Sequence, residues 1–244
     1  MSKKLYIIMP AYNEEENIQS TLSGWYEVIK KLEAKNNSGN KLVVINDGSK
    51  DKTLEKLKAF KKNHPLLEII DKKNEGHGPS LIRGYNYAIE EGADWIFQTD
   101  SDGQTNPKEF AKFWKERKDY DAIFGHRAVR GDGKDRDFVE KTLCRIIHQI
   151  FRVKLPDANA PFRLMRSKYV KEFLSYIPEG YNLPNVILTT LFIKFNKRVK
   201  FEVITFKPRT KGKNSINIKK ITKIGLKAIP DFKEIYAKVK KDTR

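Results

Sequence analysis

The chain has 244 residues, 39% of them hydrophobic, which is enough to bury a substantial core in one domain. Its formal charge of +18 calls for an anionic partner, whether a phosphorylated substrate, an anionic membrane surface or nucleic acid. The single Cys144 excludes an internal disulfide and a cysteine zinc cluster, and no apolar run approaches the roughly 20 residues that span a bilayer, so any metal is expected on oxygen ligands and the protein is expected in the cytoplasm.

In chain order, Leu5–Met9 reads as a buried strand. Pro10-Ala11-Tyr12-Asn13 follows, and Glu14-Glu15-Glu16 opens a long amphipathic helix to about Leu32, with Asn13 and Glu16 spaced as a capping box. A second strand, Leu42–Ile45, ends in Asn46-Asp47-Gly48-Ser49, and a basic helix covers Thr53–Lys62. The third strand, Leu66–Ile70, precedes the loop Asn74-Glu75-Gly76-His77-Gly78-Pro79, where His77 reads as a loop residue without chemical duty, and a helix over Ser80–Glu91. The fourth strand, Trp95–Thr99, runs into Asp100-Ser101-Asp102-Gly103-Gln104.

If that last stretch stays extended, the side chains of Asp100, Asp102 and Gln104 share one face, and their oxygens suit Mg²⁺ or Mn²⁺. Taken alone, the same residues equally describe an acidic turn that caps the next helix. Asn106, Pro107 and Glu109 are placed to start that helix, and Asp121–Gly125 reads as a fifth strand. Strand–helix alternation without tight hairpins predicts an α/β fold with a mainly parallel sheet and helices on both faces. Tyr12, Asp47, Asn74 and Asp100 then lie at one edge, where such sheets bind ligands.

Beyond residue 137 the alternation weakens. Val139, Leu143, Ile146, Ile147, Ile150 and Phe151 make the apolar stripe of a basic helix that either packs on the core or lies on a membrane. Helices are expected near Lys168–Tyr176 and Leu183–Phe195, and a strand over Val199–Phe206. The tail, 207–244, reads as two short basic amphipathic helices separated near Ile229-Pro230, suited to packing on the core or to holding an anionic leaflet.

These motifs together resemble family 2 glycosyltransferases of the GT-A fold, most closely the branch that transfers sugars to dolichyl or polyprenyl phosphates. Ile8–Glu14 is similar to the first-strand signature. Val43–Ser49 resembles V-x-D-D-G-S with Asn46 in place of the first aspartate, and Asn74–Gly78 resembles N-x-G-x-G. Asp100–Gln104 matches D-x-D-x-Q, and Gly125-His126-Arg127 resembles G-S-R. Asp157 with Pro161–Leu164 resembles D-x-x-x-G-F-R-L, with Pro161 at the glycine, and Arg209–Ser215 resembles R-x-x-G-x-S with one extra residue.

The resemblance implies a catalytic domain at 1–206 and an acceptor-side loop with basic helices at 207–244. It places Pro10, Ala11, Tyr12, Glu14, Asp47, Asn74, Gly76, Asp100 and Ser101 on the nucleotide-sugar donor. Asp100, Asp102 and Gln104 fall on Mg²⁺ or Mn²⁺, and Asp102, Arg127 and Arg209 carry catalysis, the arginines by gripping phosphates. Arg163 is expected either there or as a structural partner of Asp157.

The implied reaction is inverting transfer from a UDP- or GDP-sugar to a polyprenyl or dolichyl phosphate, with a peripheral association to the inner face of the cell membrane. A base for a hydroxyl acceptor is commonly an acid near Glu179–Asn185, where Glu179 is the only one. A phosphate acceptor needs none. Three alternatives stay open: a glycan or other hydroxyl acceptor; a sugar nucleotidyltransferase, which should have a glycine-rich basic loop after the first strand; and a nucleic-acid-binding module.

Overall fold

The computed structural model describes the backbone at residues 3–127, 134–209 and 218–242, with side chains described at 3–127, 138–209 and 228–242. Seven strands form one sheet: β1 (Leu5–Ala11), β2 (Lys41–Asp47), β3 (Leu67–Lys72), β4 (Trp95–Thr99), β5 (Ala122–His126), β6 (Phe162–Arg166) and β7 (Val199–Val203). Their spatial order is β3-β2-β1-β4-β6-β5-β7. Only β6 runs antiparallel, between β4 and β5. The parallel pairs β1–β2, β2–β3 and β1–β4 are joined through helices, as crossovers between parallel strands require.

The helices are α1 (Ile18–Asn36), α2 (Thr53–Lys61), α3 (His77–Glu90), α4 (Phe110–Glu116), α5 (Lys134–Phe151), α6 (Ser167–Leu174), α7 (Pro184–Lys194) and α8 (Ile218–Asp242). Alternation along the central strands divides the core in two. Leu5, Ile7 and Met9 of β1 pack with Leu22, Trp25 and Ile29 of α1 and with Phe110 and Phe113 of α4. Tyr6 and Ile8 face the other way, into a layer holding Leu81 and Tyr85 of α3, Ile147 and Phe151 of α5, and Leu188 and Leu191 of α7. Because α7 is enclosed, every residue from Pro184 to Phe192 is buried, and the helix has no polar face to read.

Several expected boundaries move, each for a local reason. Asn13 has φ +54°, and its side chain accepts from the Lys50 amide at 2.8 Å, so it laces the β1 and β2 loops together instead of capping a helix. The expected capping box is absent, and α1 begins only at Ile18. Glu109 likewise spends its carboxylate on Thr205, at 2.7 Å from the hydroxyl. The stripe of α5 packs on the core, with Ile147 and Phe151 fully buried.

In the tail, one helix replaces the expected two, with Pro230 inside it. Ala228, Phe232, Ile235 and Val239 are all buried, and this continuous stripe holds the helix together across the proline. Tyr236 meets Phe151 edge to face at 5.4 Å, so the described apolar face of α8 is covered by the chain's own core. Gly212 and Ser215 of the late motif, and the side chains of Ile218, Ile221 and Ile224, lie outside the described residues.

Candidate active site

Strand order reverses between β1 and β4: the chain steps from β1 outward to β2 and β3, then returns to β4 on the other flank. Loops leaving the carboxyl ends of two such strands part and leave a crevice. Pro10, Ala11 and Tyr12 stand on one lip and Asp100 and Ser101 on the other. The Ser101 hydroxyl donates across the gap to the Pro10 carbonyl at 2.8 Å, and Thr21 of α1 donates to the Ser101 carbonyl at 3.2 Å. Ser101 thereby fixes the spacing of the lips. Tyr12 is half-buried at the rim.

At the β2 end the carboxylate is saturated. Asp47 accepts from Lys72 Nζ at 2.5 Å, from the Glu75 amide at 3.0 Å and from the Gly76 amide at 2.9 Å. Burial pushes its carboxyl up, but the Lys72 hydrogen bond and the two backbone N–H groups outweigh it and hold the pKa below the ordinary 3.8. Asn74 donates to the Asp47 carbonyl at 2.8 Å. Gly48, at φ +64°, lets the Asn74 amide nitrogen pass where a Cβ would stand 2.7 Å away. Asn46, at the position of the family's first aspartate, donates to Asp71 Oδ1 at 2.7 Å. An aspartate at 46 would set two carboxylates against each other, which gives the substitution a physical reason.

The β4 end is different. Residues 100–104 are not extended: Gly103 has φ +76°, and the Gln104 amide turns back to Asp102 Oδ1 at 3.1 Å. The extended run expected here is therefore a turn, but not one that caps the next helix: that cap is Asn106, whose side chain accepts from the Lys108 amide at 3.2 Å. Gln104 donates its side-chain amide to the Lys207 carbonyl at 2.7 Å, leaving only its oxygen end for a cation. Lys207 N returns to the Gln104 carbonyl at 2.9 Å and Thr105 bridges Phe206, so residues 205–207 are strapped along this turn.

Asp100 Oδ1 is buried and has no hydrogen-bond partner. Burial first, then repulsion from Asp102, raises its carboxyl well above 3.8, with Glu14 adding and Arg127 and the neighbouring Gln98 amide opposing. Like-charged carboxylates held close together at a partly buried site are the arrangement a divalent cation relieves. Among the described residues no three His, Cys, Asp or Glu side chains gather at metal-binding spacing, so the chain offers two aspartates. Magnesium-type ions accept such sparse protein ligation, taking water and substrate phosphate for the rest, and the residues present fit one.

The arginines are placed unexpectedly. Arg127 makes a fork to Asp157, Nε to Oδ2 at 2.8 Å and an NH2 to Oδ1 at 2.9 Å, with Glu140 of α5 at 3.7 Å. It is Arg127, not Arg163, that pairs with Asp157. Arg163 is buried, donates to Thr189 Oγ1 at 2.7 Å and stacks over Phe124 at 4.5 Å; burial pushes its pKa down to about 10. Arg209 reaches back across the cleft to both oxygens of Glu14 at 2.8 Å. Burial raises the Glu14 carboxyl, against the lowering effects of Asn17 and Arg209.

Two participants escaped sequence reasoning. Glu140 falls on the same helical stripe as Leu143, Ile147 and Phe151, and an acid on a buried stripe is the signal that would have found it. His77 is the first residue of α3, not a loop residue, and its Nε2 lies 4.0 Å from Asp100 Oδ1. Burial pushes its pKa down, to about 4, although 44% of its side chain is exposed. Gly78 beside it allows α3 to press on the 181–182 backbone, since a Cβ there would sit 2.3 Å from the Tyr181 carbonyl oxygen. That glycine is required by the chain's own packing.

A mainly parallel sheet with an acidic crevice at its reversal point, an antiparallel β6 and a strap after β7 is the arrangement of the GT-A fold. Residues 6–174 match glycosyl transferase family 2, and the chain belongs to that family. It is 28% identical over 244 residues to the glycosyltransferase sll0501 of Synechocystis sp., covering 98% of this chain and 72% of that one. It is 29% identical over 228 residues to the dolichol-phosphate mannosyltransferase of Pyrococcus furiosus, covering 89% of this chain and 60% of that one.

An undecaprenyl-phosphate 4-deoxy-4-formamido-L-arabinose transferase of Photorhabdus laumondii is 27% identical over 70% of this chain and 52% of its own length. The chain thus spans little more than half the length of several relatives that it matches. Among solved structures, glucosyl-3-phosphoglycerate synthase of Mycobacterium tuberculosis, in complex with Mn²⁺, UDP and glucosyl-3-phosphoglycerate, superposes with a TM-score of 0.70 over 96% of this chain and 80% of that one, at 14% identity. That likeness shows the fold. No helix among the described residues is long and apolar enough to cross a membrane.

Proposed function

We propose that the protein is a metal-dependent, inverting glycosyltransferase that moves a sugar from a UDP- or GDP-sugar to a polyprenyl or dolichyl phosphate. The observation that carries this reading is the buried Asp100 oxygen at the β1–β4 crevice, on a carboxyl that burial and the neighbouring Asp102 hold well above the ordinary carboxylate range. Relatives named for transfer to dolichol phosphate and undecaprenyl phosphate support the acceptor class.

In this reading Asp100 and Asp102, with the Gln104 oxygen, hold Mg²⁺ or Mn²⁺ against the donor diphosphate, and the bound cation supplies Lewis-acid stabilisation of the departing oxygens. Tyr12 and the backbone of Pro10 and Ala11 line the nucleoside side. Asp47 acts on the base side through the loop it organises, 74–76, since its carboxylate is taken up by Lys72 and two amides. Arg209 exchanges Glu14 for a donor phosphate, and Arg127, steadied by Asp157, faces the acceptor.

The acceptor oxygen attacks the anomeric carbon from the face opposite the diphosphate. The glycosidic C–O bond to the diphosphate breaks, and its electron pair leaves on the nucleotide. An acceptor phosphate arrives ionised and needs no base. Residues 1–206 carry most of the donor machinery, and 207–244 supply Arg209 and the basic helix α8, which brings the chain to an anionic leaflet as a peripheral protein.

A second reading, a hydroxyl acceptor, is favoured by one observation: Arg127 is compensated by both Asp157 and Glu140, which weakens its pull on a further phosphate and sets a carboxylate near the acceptor side. Transfer assays with UDP- and GDP-sugars, with and without undecaprenyl or dolichyl phosphate, separate the two. Product formed only with the lipid phosphates supports the first reading, and a hydroxyl-only profile replaces it with the second.

A further inference from the structure

After β7 the chain crosses the carboxyl edge of the sheet and is tied to one loop after another. The Ile204 amide donates to the His126 carbonyl at the end of β5 at 3.1 Å. The Thr205 amide and hydroxyl both donate to Glu109, at 3.1 and 2.7 Å. Phe206 bridges to Thr105, whose hydroxyl lies 2.9 Å from that of Thr99 in β4. Lys207 exchanges hydrogen bonds with Gln104 in both directions, and Arg209 ends on Glu14. Within this pinned segment Phe206 is half-buried and sets its ring against Arg127, with the guanidinium carbon over the ring at 5.2 Å from its centroid.

The fork to Asp157 fixes the Arg127 guanidinium along one edge. Two bonds to one carboxylate define a line, and tilting of the plane about that line costs little. A ring laid on one face resists the tilt, and at this separation its quadrupole attracts the cation. Phosphate oxygens are recognised in the guanidinium plane, along its N–H directions, so the angle of that plane decides where a phosphate is met. Only 6% of the Arg127 side chain is exposed, which leaves a narrow approach and little room for a misplaced plane.

We infer that Phe206 is a positioning residue for the acceptor: its ring holds the Arg127 guanidinium at the angle that receives the acceptor phosphate. Phe206 has this role only if Arg127 faces the acceptor, as proposed above. It touches neither substrate nor cation. A leucine there fills similar space without the negative ring face, and a tyrosine keeps that face.

Steady-state transfer to a short-chain polyprenyl phosphate in detergent, from the sugar donor whose nucleoside diphosphate binds, is compared in the wild type, Phe206→Leu, Phe206→Tyr and Glu109→Ala. Phe206→Leu is expected to raise the acceptor KM about fivefold, the scale of one cation–π contact, while donor KM, kcat at saturating acceptor and melting temperature stay close to wild type. Phe206→Tyr is expected to restore the acceptor KM. Glu109→Ala keeps the ring but cuts its anchor at Thr205, and should shift the acceptor KM in the same sense by less.

An unchanged acceptor KM in Phe206→Leu would overturn the role. So would a donor KM that rose in step with the acceptor KM, or a folded Phe206→Tyr chain that behaved like Phe206→Leu. Should Phe206→Leu fail to fold, Glu109→Ala decides by the same two Michaelis constants. A wild-type chain that transferred sugar to hydroxyl acceptors and never to the lipid phosphate would remove the acceptor reading of Arg127 itself, a failure separate from the others.

Discussion

Asp47 and Asp100 leave the same edge of one sheet, a single strand apart, and meet opposite surroundings. Asp47 is saturated by Lys72 and two backbone amides, and its pKa is held down. Asp100 keeps a buried oxygen with no hydrogen-bond partner, stands against Asp102, and its pKa is driven up. A carboxylate whose bonds are all met by the chain builds structure, while one left short is held for something the chain does not contain. In the proposed reading the β2 end is a scaffold and the β4 end the place where the cation is held.

Substitutions should separate the two ends. Asp102→Ala is expected to cut sugar transfer by about a thousandfold, since cation stabilisation of a leaving diphosphate is worth several kcal/mol, while metal-free thermal unfolding stays close to wild type. Asp47→Ala should do the reverse. Removing one partner of a buried, hydrogen-bonded pair costs about 3–5 kcal/mol, read by chemical denaturation, and any lost activity follows from the loosened 74–76 loop. Gly78→Ala is expected to cost about 1–3 kcal/mol, because its Cβ would sit 2.3 Å from the Tyr181 carbonyl oxygen and the 181–182 wall must shift.

A smaller effect tests the charge argument itself. Asp100→Asn removes the repelled charge while keeping the shape, so the metal-free chain should be as stable as wild type at neutral pH or slightly more so, although transfer falls. Smallest is the pH response of the scaffold. The folded pKa of Asp47 lies below the ordinary 3.8, so its contribution is fully present above that value and is lost as pH falls through the folded pKa. Asp47→Asn should flatten that acid limb of the stability profile. An unchanged limb would mean that Lys72 and the amides do not hold the loop as described.

The same contrast explains what could be read from the sequence. Strand runs such as Leu42–Ile45 and Trp95–Thr99 announce themselves by apolar content, and turn chemistry marks their ends, so the shared edge bearing Tyr12, Asp47, Asn74 and Asp100 was legible. The bonding state of each carboxylate was not, because Lys72, the Gly76 amide and the Lys207 carbonyl are brought in by tertiary folding. The turn at 100–104 depends on Gly103 and on the strap at 205–207, which lies more than a hundred positions away. Likewise Arg127 and Arg163 compete for Asp157, and only the neighbouring strand positions decide between them. Pro230 misled because local propensity was outvoted by the buried stripe of Ala228, Phe232, Ile235 and Val239.

The most direct measurement is calorimetric binding of UDP and GDP to the wild type and to Asp102→Ala, each with Mn²⁺, with Mg²⁺ and with chelator. One nucleoside diphosphate should bind the wild type only when a divalent cation is present, and its binding to the folded variant should be lost. Equal affinity in wild type and variant, unchanged by chelator, would contradict the assignment of the Asp100–Asp102 pair as the cation site.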